Sequence, residues 1–307
     1  MARGNLKTAL VTGGNGYLGS VLVRHLVECG FTVHAIAHKN RQVLDRVLPE
    51  GQIHVLTGDL SDTVELTGRL KPDAIFHLAT DQTEPKDIGG MLHILQNNLA
   101  LGTALLQGAA LCPKSPVFLN AGTYWQFADP DYIAGNSFYA ATKQAFHDIL
   151  LYFRRAYKIR STTLILYDTI GLTDPRSKLW NKLVEALPGT QFPMSGGKQT
   201  VDIVHVDDIV RGFVHAANLL DADELPGPLY ALRSNEPKIL RDFIEDLSDS
   251  GILDLQFVWG KIPYWSGQIF QVWQGERLPG WRAAIDIKET IAEMARRQAS
   301  NRGILRD

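Results

Sequence analysis

Thr12-Gly13-Gly14-Asn15-Gly16-Tyr17-Leu18-Gly19 follows the short run Thr8–Thr12 and leads straight into a helical pattern over Leu18–Cys29. Glycines so placed do three things. One permits a tight turn, another lets the backbone approach a pyrophosphate, and a third lets the helix pack on the strand, its N-terminus facing the phosphates. The motif alone is a weak signal; a strand before it and a helix after it supply the context it needs. Gly13, Asn15, Gly16, Tyr17 and Leu18 are therefore candidate dinucleotide-binding residues.

The chain beyond this helix repeats the alternation. Strands are expected at Phe31–Ala37, Ile53–Leu56, Ala74–Ala79 and Val117–Asn120, with helices at Arg41–Leu48, Val64–Leu70 and Ile88–Leu111. The strands are nearly continuous apolar runs, as in a parallel sheet covered on both faces. A long helix over Phe138–Tyr157 leads to a further strand, Thr162–Leu166. Beyond Gly171, Pro175, Pro188, Pro193, Gly196 and Gly197 break the chain into short pieces. Val201–Val206 and a helix over Asp207–Leu220 read as a return to the sheet, with another strand at Leu229–Leu232 and helices at Ile239–Leu247 and Asp286–Arg297. The expected fold is α/β: a Rossmann-type doubly wound parallel sheet with a smaller C-terminal substrate lobe. Residues 1–170, with 198–232 returning to them, make the first unit, and 171–307 the discontinuous lobe.

At 307 residues the chain is long enough for such an arrangement. Lys and Arg total 31 against 33 Asp and Glu, a balance that argues against tracking nucleic-acid phosphates. Two cysteines, Cys29 and Cys112, make no disulfide scaffold, and no Cys/His spacing suggests a metal site. No apolar stretch is long enough to span a bilayer and the N-terminus lacks a signal-type core, so a cytoplasmic location without membrane partners is expected.

The end of the second strand decides which dinucleotide fits. A carboxylate there holds the ribose 2′-hydroxyl of NAD, whereas basic residues favour the 2′-phosphate of NADP. Here the chain reads Ala37-His38-Lys39-Asn40-Arg41, with no carboxylate until Asp45. His38, Lys39 and Arg41 are thus assigned to NADP(H), with NAD(H) kept open, since two cations in a solvated loop are also ordinary surface residues.

Tyr139-Ala140-Ala141-Thr142-Lys143 sets a phenol and an ammonium four residues apart in a helical pattern, on one face and one turn apart. A phenol titrates near ~10, too high for easy proton exchange at neutral pH, and a nearby cation lowers it. The pair suits proton transfer to or from a carbonyl or alcohol oxygen while a hydride moves at the adjacent carbon. Thr123, just past the carboxyl end of the strand at Val117, is placed to donate to the same oxygen. A turn threonine satisfying its own backbone is the structural alternative.

These residues resemble the extended short-chain dehydrogenase/reductase family. The similarity takes in the glycine turn, Asp59-Leu60 after the third strand, His77-Leu78-Ala79-Thr80 on the fourth, Asn98, and the Thr123/Tyr139/Lys143 set. It continues through Gly196–Asp202 and Val204–Asp208, and so spans nearly the whole chain. Within the family, Asn120–Gln126, Tyr167-Asp168-Thr169 and Asp174-Pro175-Arg176 are most similar to sugar-nucleotide 4-ketoreductases of the CDP-abequose-synthase type. The resemblance implies that Asp59 and Leu60 flank an adenine, and that Leu78, Ala79, Thr80 and Asn98 complete the cofactor site. It also implies a nucleoside-diphosphate sugar held by the small lobe, with Asp81, Thr123, Tyr124, Trp125, Asp168, Arg176, Lys178 and Trp180 as substrate-side candidates. Homodimers through the helices matching Ile88–Leu111 and Phe138–Tyr157 are implied too, although core burial explains their apolar faces equally well.

Departures from the family pattern narrow the reading. Tyr124 and Trp125 stand where the 4,6-dehydratases carry an Asp-Glu pair, which disfavours dehydration. Asp168 stands where many members have Asn, Val201 where many have a phosphate-binding Arg, and Trp265 in a Pro-Tyr-Arg-like position. Arg176 or Lys178 would have to replace the lost diphosphate contacts, unless Arg176 only pairs with Asp174. The expected activity is NADPH-dependent reduction of the C4 carbonyl of a keto-deoxysugar nucleotide. An NAD-dependent 4-epimerase, a reductase of a non-nucleotide carbonyl and a non-catalytic NADP-binding regulator are the alternatives.

Overall fold

The computed structural model describes residues 6–37, 41–55, 58–128 and 133–303. Its first half alternates strand and helix: β1 (Thr8–Thr12), α1 (Tyr17–Glu28), β2 (Thr32–Ala37), β3 (Ile53–Val55), α2 (Leu60–Leu70), β4 (Ala74–His77), α3 (Ile88–Leu95), α4 (Leu101–Leu111), β5 (Val117–Thr123), α5 (Phe138–Tyr157) and β6 (Ser161–Leu166). Shorter elements follow: β7 (Asp168–Ile170), α6 (Leu179–Glu185), β8 (Thr190–Pro193), β9 (Thr200–Val201), β10 (Ile203–His205), α7 (Val206–Asp221), β11 (Leu229–Leu232), β12 (Lys238–Ile239), α8 (Leu240–Asp249), β13 (Leu255–Val258) and α9 (Ile287–Asn301).

Seven strands form one parallel sheet in the order β11-β6-β5-β4-β1-β2-β3. The order reverses between β1 and β4, the place where an open α/β sheet leaves a crevice beyond its strand ends. Every residue of β4 and β5 is buried, as central strands covered on both faces require. One apolar layer joins Leu22, Val23 and Leu26 of α1 with Ile209, Phe213 and Ala217 of α7. The other joins Leu105 and Leu106 of α4 with Phe146, Leu150 and Phe153 of α5. A further core gathers Trp180, Leu183, Phe243, Ile244, Leu247 and Ile291 from the elements after β7.

Three expectations are corrected. Arg41–Leu48 is not a helix: Leu44 and Asp45 both donate to the Arg41 carbonyl, and Val47 and Leu48 both to that of Leu44, which gives two successive turns. The turns still bury Leu44 and Leu48, so the spacing read as helical reports burial alone, and Pro49 then caps a separate 3-10 turn at Glu50–Gln52. Ile88–Leu111 is interrupted by a π-helical segment at Gln96–Ala100. Val201–Val206 does not rejoin the main sheet, because β11 already occupies the free edge of β6. Instead β9 pairs with β12 and β10 with β7, and only α7 and β11 return.

Candidate active site

The glycine turn is built by contacts that exclude side chains. Gly13 has φ of +71°, and a Cβ there would lie 2.7 Å from the Ala79 nitrogen. A Cβ on Gly19 would lie 2.0 Å from the Gly13 carbonyl oxygen. The Gly16 amide donates to that same oxygen at 2.9 Å. Gly16 caps α1 without any side-chain hydrogen bond, so the first amides of the helix face outward, as a phosphate site needs. β4 is tied alongside through the Ala79 amide, which donates to Thr12 Oγ1 at 3.2 Å.

A cavity of about 1230 Å³ opens over the switch point of the sheet. Gly13, Asn15, Gly16, Tyr17, Leu18, Ala37, Asp59, Leu60, Leu78, Ala79 and Thr80 line one end of it, and Tyr124, Trp125, Asp168, Arg176, Lys178 and Trp180 the other. Thr123, Tyr139 and Lys143 line it as well. A dinucleotide fits the first end on two counts: the cradle at Gly13 that any Cβ would fill, and the bare N-terminus of α1.

Thr123 ends β5 and caps a short 3-10 turn. It accepts from the Trp125 amide at 3.3 Å, and its own amide donates to Gln126 Oε1 at 2.9 Å. Because Thr123 Oγ1 already accepts from Trp125, its single proton remains for another acceptor. Gln126 Nε2 in turn donates to Gln144 Oε1 at 2.9 Å, which fixes the turn to α5. Ser137 caps α5, accepting from the Ala140 amide at 3.2 Å, and so sets Tyr139 and Lys143 in its first turns.

Burial governs the titration of both groups. It pushes the Tyr139 phenol up to about 12, against side-chain hydrogen bonds with Gln82 and Thr80 that lower it. It brings the Lys143 ammonium down to about 8. His77, one strand away, forms a 2.8 Å hydrogen bond with Thr12 through Nδ1, and burial holds its pKa down to about 3, so it stays neutral beside Lys143.

The far end is aromatic and charged. Tyr124 stacks on Tyr167 with ring centroids 5.3 Å apart. Burial raises Asp168 to about 6, opposed by Lys178 and Arg176 and helped by neighbouring Asp202. Arg176 holds Asp174 in a two-pronged ion pair of 2.7 and 2.6 Å and donates to the Thr169 carbonyl, yet it still faces the cavity. Trp180 packs edge-on against Phe243 at 5.7 Å. Asp81 lies near His93, 3.6 Å away.

Other candidates sit elsewhere. His38 and Lys39 fall outside the described residues. Arg41 does not line the cavity: it pairs with Asp45 at 2.8 Å and approaches Glu50 at 3.8 Å. Asn98 does not line it either. Its Oδ1 accepts from the Asp81 amide at 2.6 Å and from Thr80 Oγ1, and its Nδ2 donates to Thr142 Oγ1 at 2.9 Å. Asn98 therefore clamps the loop after β4 to α5 next to Lys143, from within the π-helical segment. Gln82, Asn136, Tyr167, Gln199 and Thr200 line the cavity and were not singled out by sequence. Tyr167, Gln199 and Thr200 fall in segments that carry the family resemblance, whereas Gln82 and Asn136 carry no motif and are brought to the cavity by the fold. Among the described residues no group of three potential metal ligands occurs, and no helix is long and apolar enough to cross a membrane.

The model of the NAD dependent epimerase/dehydratase family matches residues 9–229. The chain belongs to the NAD dependent epimerase/dehydratase family. Among curated relatives it is similar to CDP-abequose synthase of Yersinia pseudotuberculosis, 25% identical with 79% of this chain and 85% of that protein covered. It is also similar to dTDP-glucose 4,6-dehydratase of Neisseria gonorrhoeae, 26% identical over 67% of each chain. The fold is that of UDP-glucuronic acid 4-epimerase from Bacillus cereus, solved with NAD and a fluorinated UDP-sugar (TM-score 0.77, 17% identity, 96% and 99% covered). A dTDP-glucose 4,6-dehydratase from Streptomyces venezuelae, solved with NAD, shares it too (TM-score 0.70, 21% identity, 97% and 98% covered). These epimerase/dehydratase family proteins perform several reactions on one scaffold, so the chemistry of this member rests on its own side chains.

Proposed function

We propose that the chain is a sugar-nucleotide 4-ketoreductase that reduces the C4 carbonyl of a nucleoside-diphosphate keto-deoxysugar. One observation carries the reading: Tyr139, Lys143 and Thr123 open into the same cavity as the glycine turn. A nicotinamide dinucleotide supplies the hydride when bound, and Gly13, Gly16, Tyr17, Asp59 and Ala79 are the residues to hold it. Thr123, its oxygen occupied by the Trp125 amide, donates its proton in a hydrogen bond to the substrate carbonyl oxygen. Tyr139 passes its phenolic proton to that oxygen as negative charge develops there. Lys143 stabilises the resulting phenolate, which regains a proton from solvent.

One feature favours reduction over elimination of water: Tyr124 and Trp125 occupy the places after Thr123 where, by the family resemblance, the dehydratases carry acids. NADP(H) is the cofactor this reading prefers. Ala37 lines the cavity, and the residues that follow it are His38, Lys39 and Arg41 rather than a carboxylate. Arg41 is now paired with Asp45, but half-exposed pairs of this kind are worth about 0–1 kcal/mol and exchange readily for a phosphate. Residues 171–307 supply most of the substrate lobe in this reading, and a homodimer through the helices over Ile88–Leu111 and Phe138–Tyr157 belongs to it, with Ile88 and Leu92 of α3 exposed.

The test is net consumption of NADPH with 4-keto-6-deoxysugar nucleotides on CDP, dTDP, UDP and GDP. Stoichiometric oxidation with one of them supports the reading. A protein that purifies with tightly held NAD and interconverts C4 epimers without net oxidation is an epimerase instead.

A further inference from the structure

Trp125 and Trp265 come from distant parts of the chain and meet beside Tyr139. Trp125 stands edge-on to the Tyr139 ring, centroids 6.3 Å apart and planes at 78°. The Trp265 ring lies 5.8 Å from Trp125 at 38°. The segment bearing Trp265 is pinned in place. Asn136 Nδ2 donates to the Gly267 carbonyl at 3.0 Å, the Gln268 amide donates to the Trp265 carbonyl at 3.0 Å, and a Cβ on Gly267 would lie 2.6 Å from the Asn136 oxygen. Asn136 is itself tied to Trp125, whose carbonyl accepts from its amide at 3.1 Å. Despite these ties Trp265 is 48% exposed, and it lines the cavity.

An indole left half-exposed inside a concave site, on a backbone segment tied down in this way, presents apolar surface that a ligand can cover. Its faces accept no ordinary hydrogen bond and its single N–H is a lone donor. A C–H or methyl group packs there favourably, whereas a hydroxyl loses water without finding a partner. Trp125 follows Thr123 by two residues and touches Tyr139. A carbonyl oxygen taken up by Thr123 and Tyr139 would lie in the cavity that this wall also lines, within reach of one of its flanking carbons.

We propose that Trp125 and Trp265 form an apolar wall along one flank of the reacting carbonyl, and that Trp265 sets specificity by favouring a methyl over a hydroxymethyl arm there. This rests on the reading of the site as a sugar-nucleotide carbonyl reductase and adds which side chains read the sugar. Apolar pockets discriminate against one added hydroxyl by at most about 10²-fold, so the expected preference lies between roughly tenfold and that ceiling.

Calorimetric titration of the NADP-bound enzyme tests it, with base-matched pairs of nucleoside-diphosphate 6-deoxyhexose and 6-hydroxyhexose on CDP, dTDP, UDP and GDP. The parent protein binds the deoxy member of the accepted pair about tenfold or more tightly. Trp265→Ala brings the two within about threefold, while Trp265→Phe, which keeps an aromatic face, retains the preference. Equal binding in the parent, or a preference that Trp265→Ala leaves intact, overturns the wall. If equal binding accompanies turnover of a ketosugar, the wall alone is wrong. If no sugar nucleotide of any base binds while NADPH does, both the wall and the proposed substrate class fall.

Discussion

Arg176 grips Asp174 with two nitrogens, and its guanidinium carbon lies 4.6 Å over the ring of Tyr17. That one side chain joins the segment after β7 to the first residue of α1, next to the glycine turn. Asp174 is almost fully covered, its side chain 1% exposed, so removing its partner leaves a carboxylate poorly solvated.

Arg176→Ala is expected to cost about 1–3 kcal/mol of stability for the unpaired carboxylate. It also releases Tyr17, whose cation–π contact is worth about 0.5–1 kcal/mol, so dinucleotide affinity falls a few-fold. Thermal melts with and without NADPH measure both. An unchanged melting temperature together with unchanged affinity contradicts the linkage.

Gly19→Ala forces a Cβ to within 2.0 Å of the Gly13 carbonyl oxygen unless α1 shifts off the turn. Overpacking of this kind costs about 1–3 kcal/mol, and a displaced helix N-terminus weakens the phosphate cradle. The expected outcome is a lower melting temperature and at least about tenfold weaker dinucleotide binding by fluorescence titration. Wild-type affinity in this variant means that the turn does not hold the phosphates.

Lys143 gives a pH signature with a definite sign. Burial lowers its pKa to about 8 from an ordinary 10.5, so between these values the unfolded chain binds more protons than the folded one. Stability of the protein without cofactor therefore rises with pH across that window, and the burial penalty is fully present below about 8. Lys143→Met removes the rise, as denaturant melts at several pH values report. Reduction, which needs the cationic form beside Tyr139, slows as pH climbs past about 8 in the parent protein.

Much of the fold and site was legible from sequence because strand, turn and helix at the N-terminus are local events. Gly13, Gly16 and Gly19 are set by neighbours within a few residues, and the Tyr139–Lys143 pair by one helical turn. The misread elements depend on distant partners. Leu44 and Leu48 have helical spacing, but both are buried from two successive turns, so burial and not a helix sets the pattern. Val201–Val206 has strand composition, yet β11 already holds the edge it would have taken. Asn98 read as a ligand contact, while the fold uses all of its side chain to join Asp81 and Thr142. The approach of Trp265 to Trp125 spans 140 positions and has no local signal.

Cofactor choice is expected to follow the basic segment after β2. The parent protein binds NADPH more tightly than NADH, and Lys39→Ala/Arg41→Ala narrows the gap by about tenfold or more, as loss of charge-assisted phosphate contacts requires. Paired titrations decide it, and equal affinities in the parent protein would falsify the NADP assignment.

The proposed mechanism turns on the Tyr139 phenol delivering the proton at the carbonyl. Its sharpest test is single-turnover oxidation of bound NADPH by a 4-keto-6-deoxysugar nucleotide, followed at the nicotinamide absorbance in the parent protein and in Tyr139→Phe. Unchanged NADPH affinity with a hydride-transfer rate about 10²–10⁴ lower is expected in the variant. A Tyr139→Phe protein that oxidises NADPH at nearly the parent rate contradicts it.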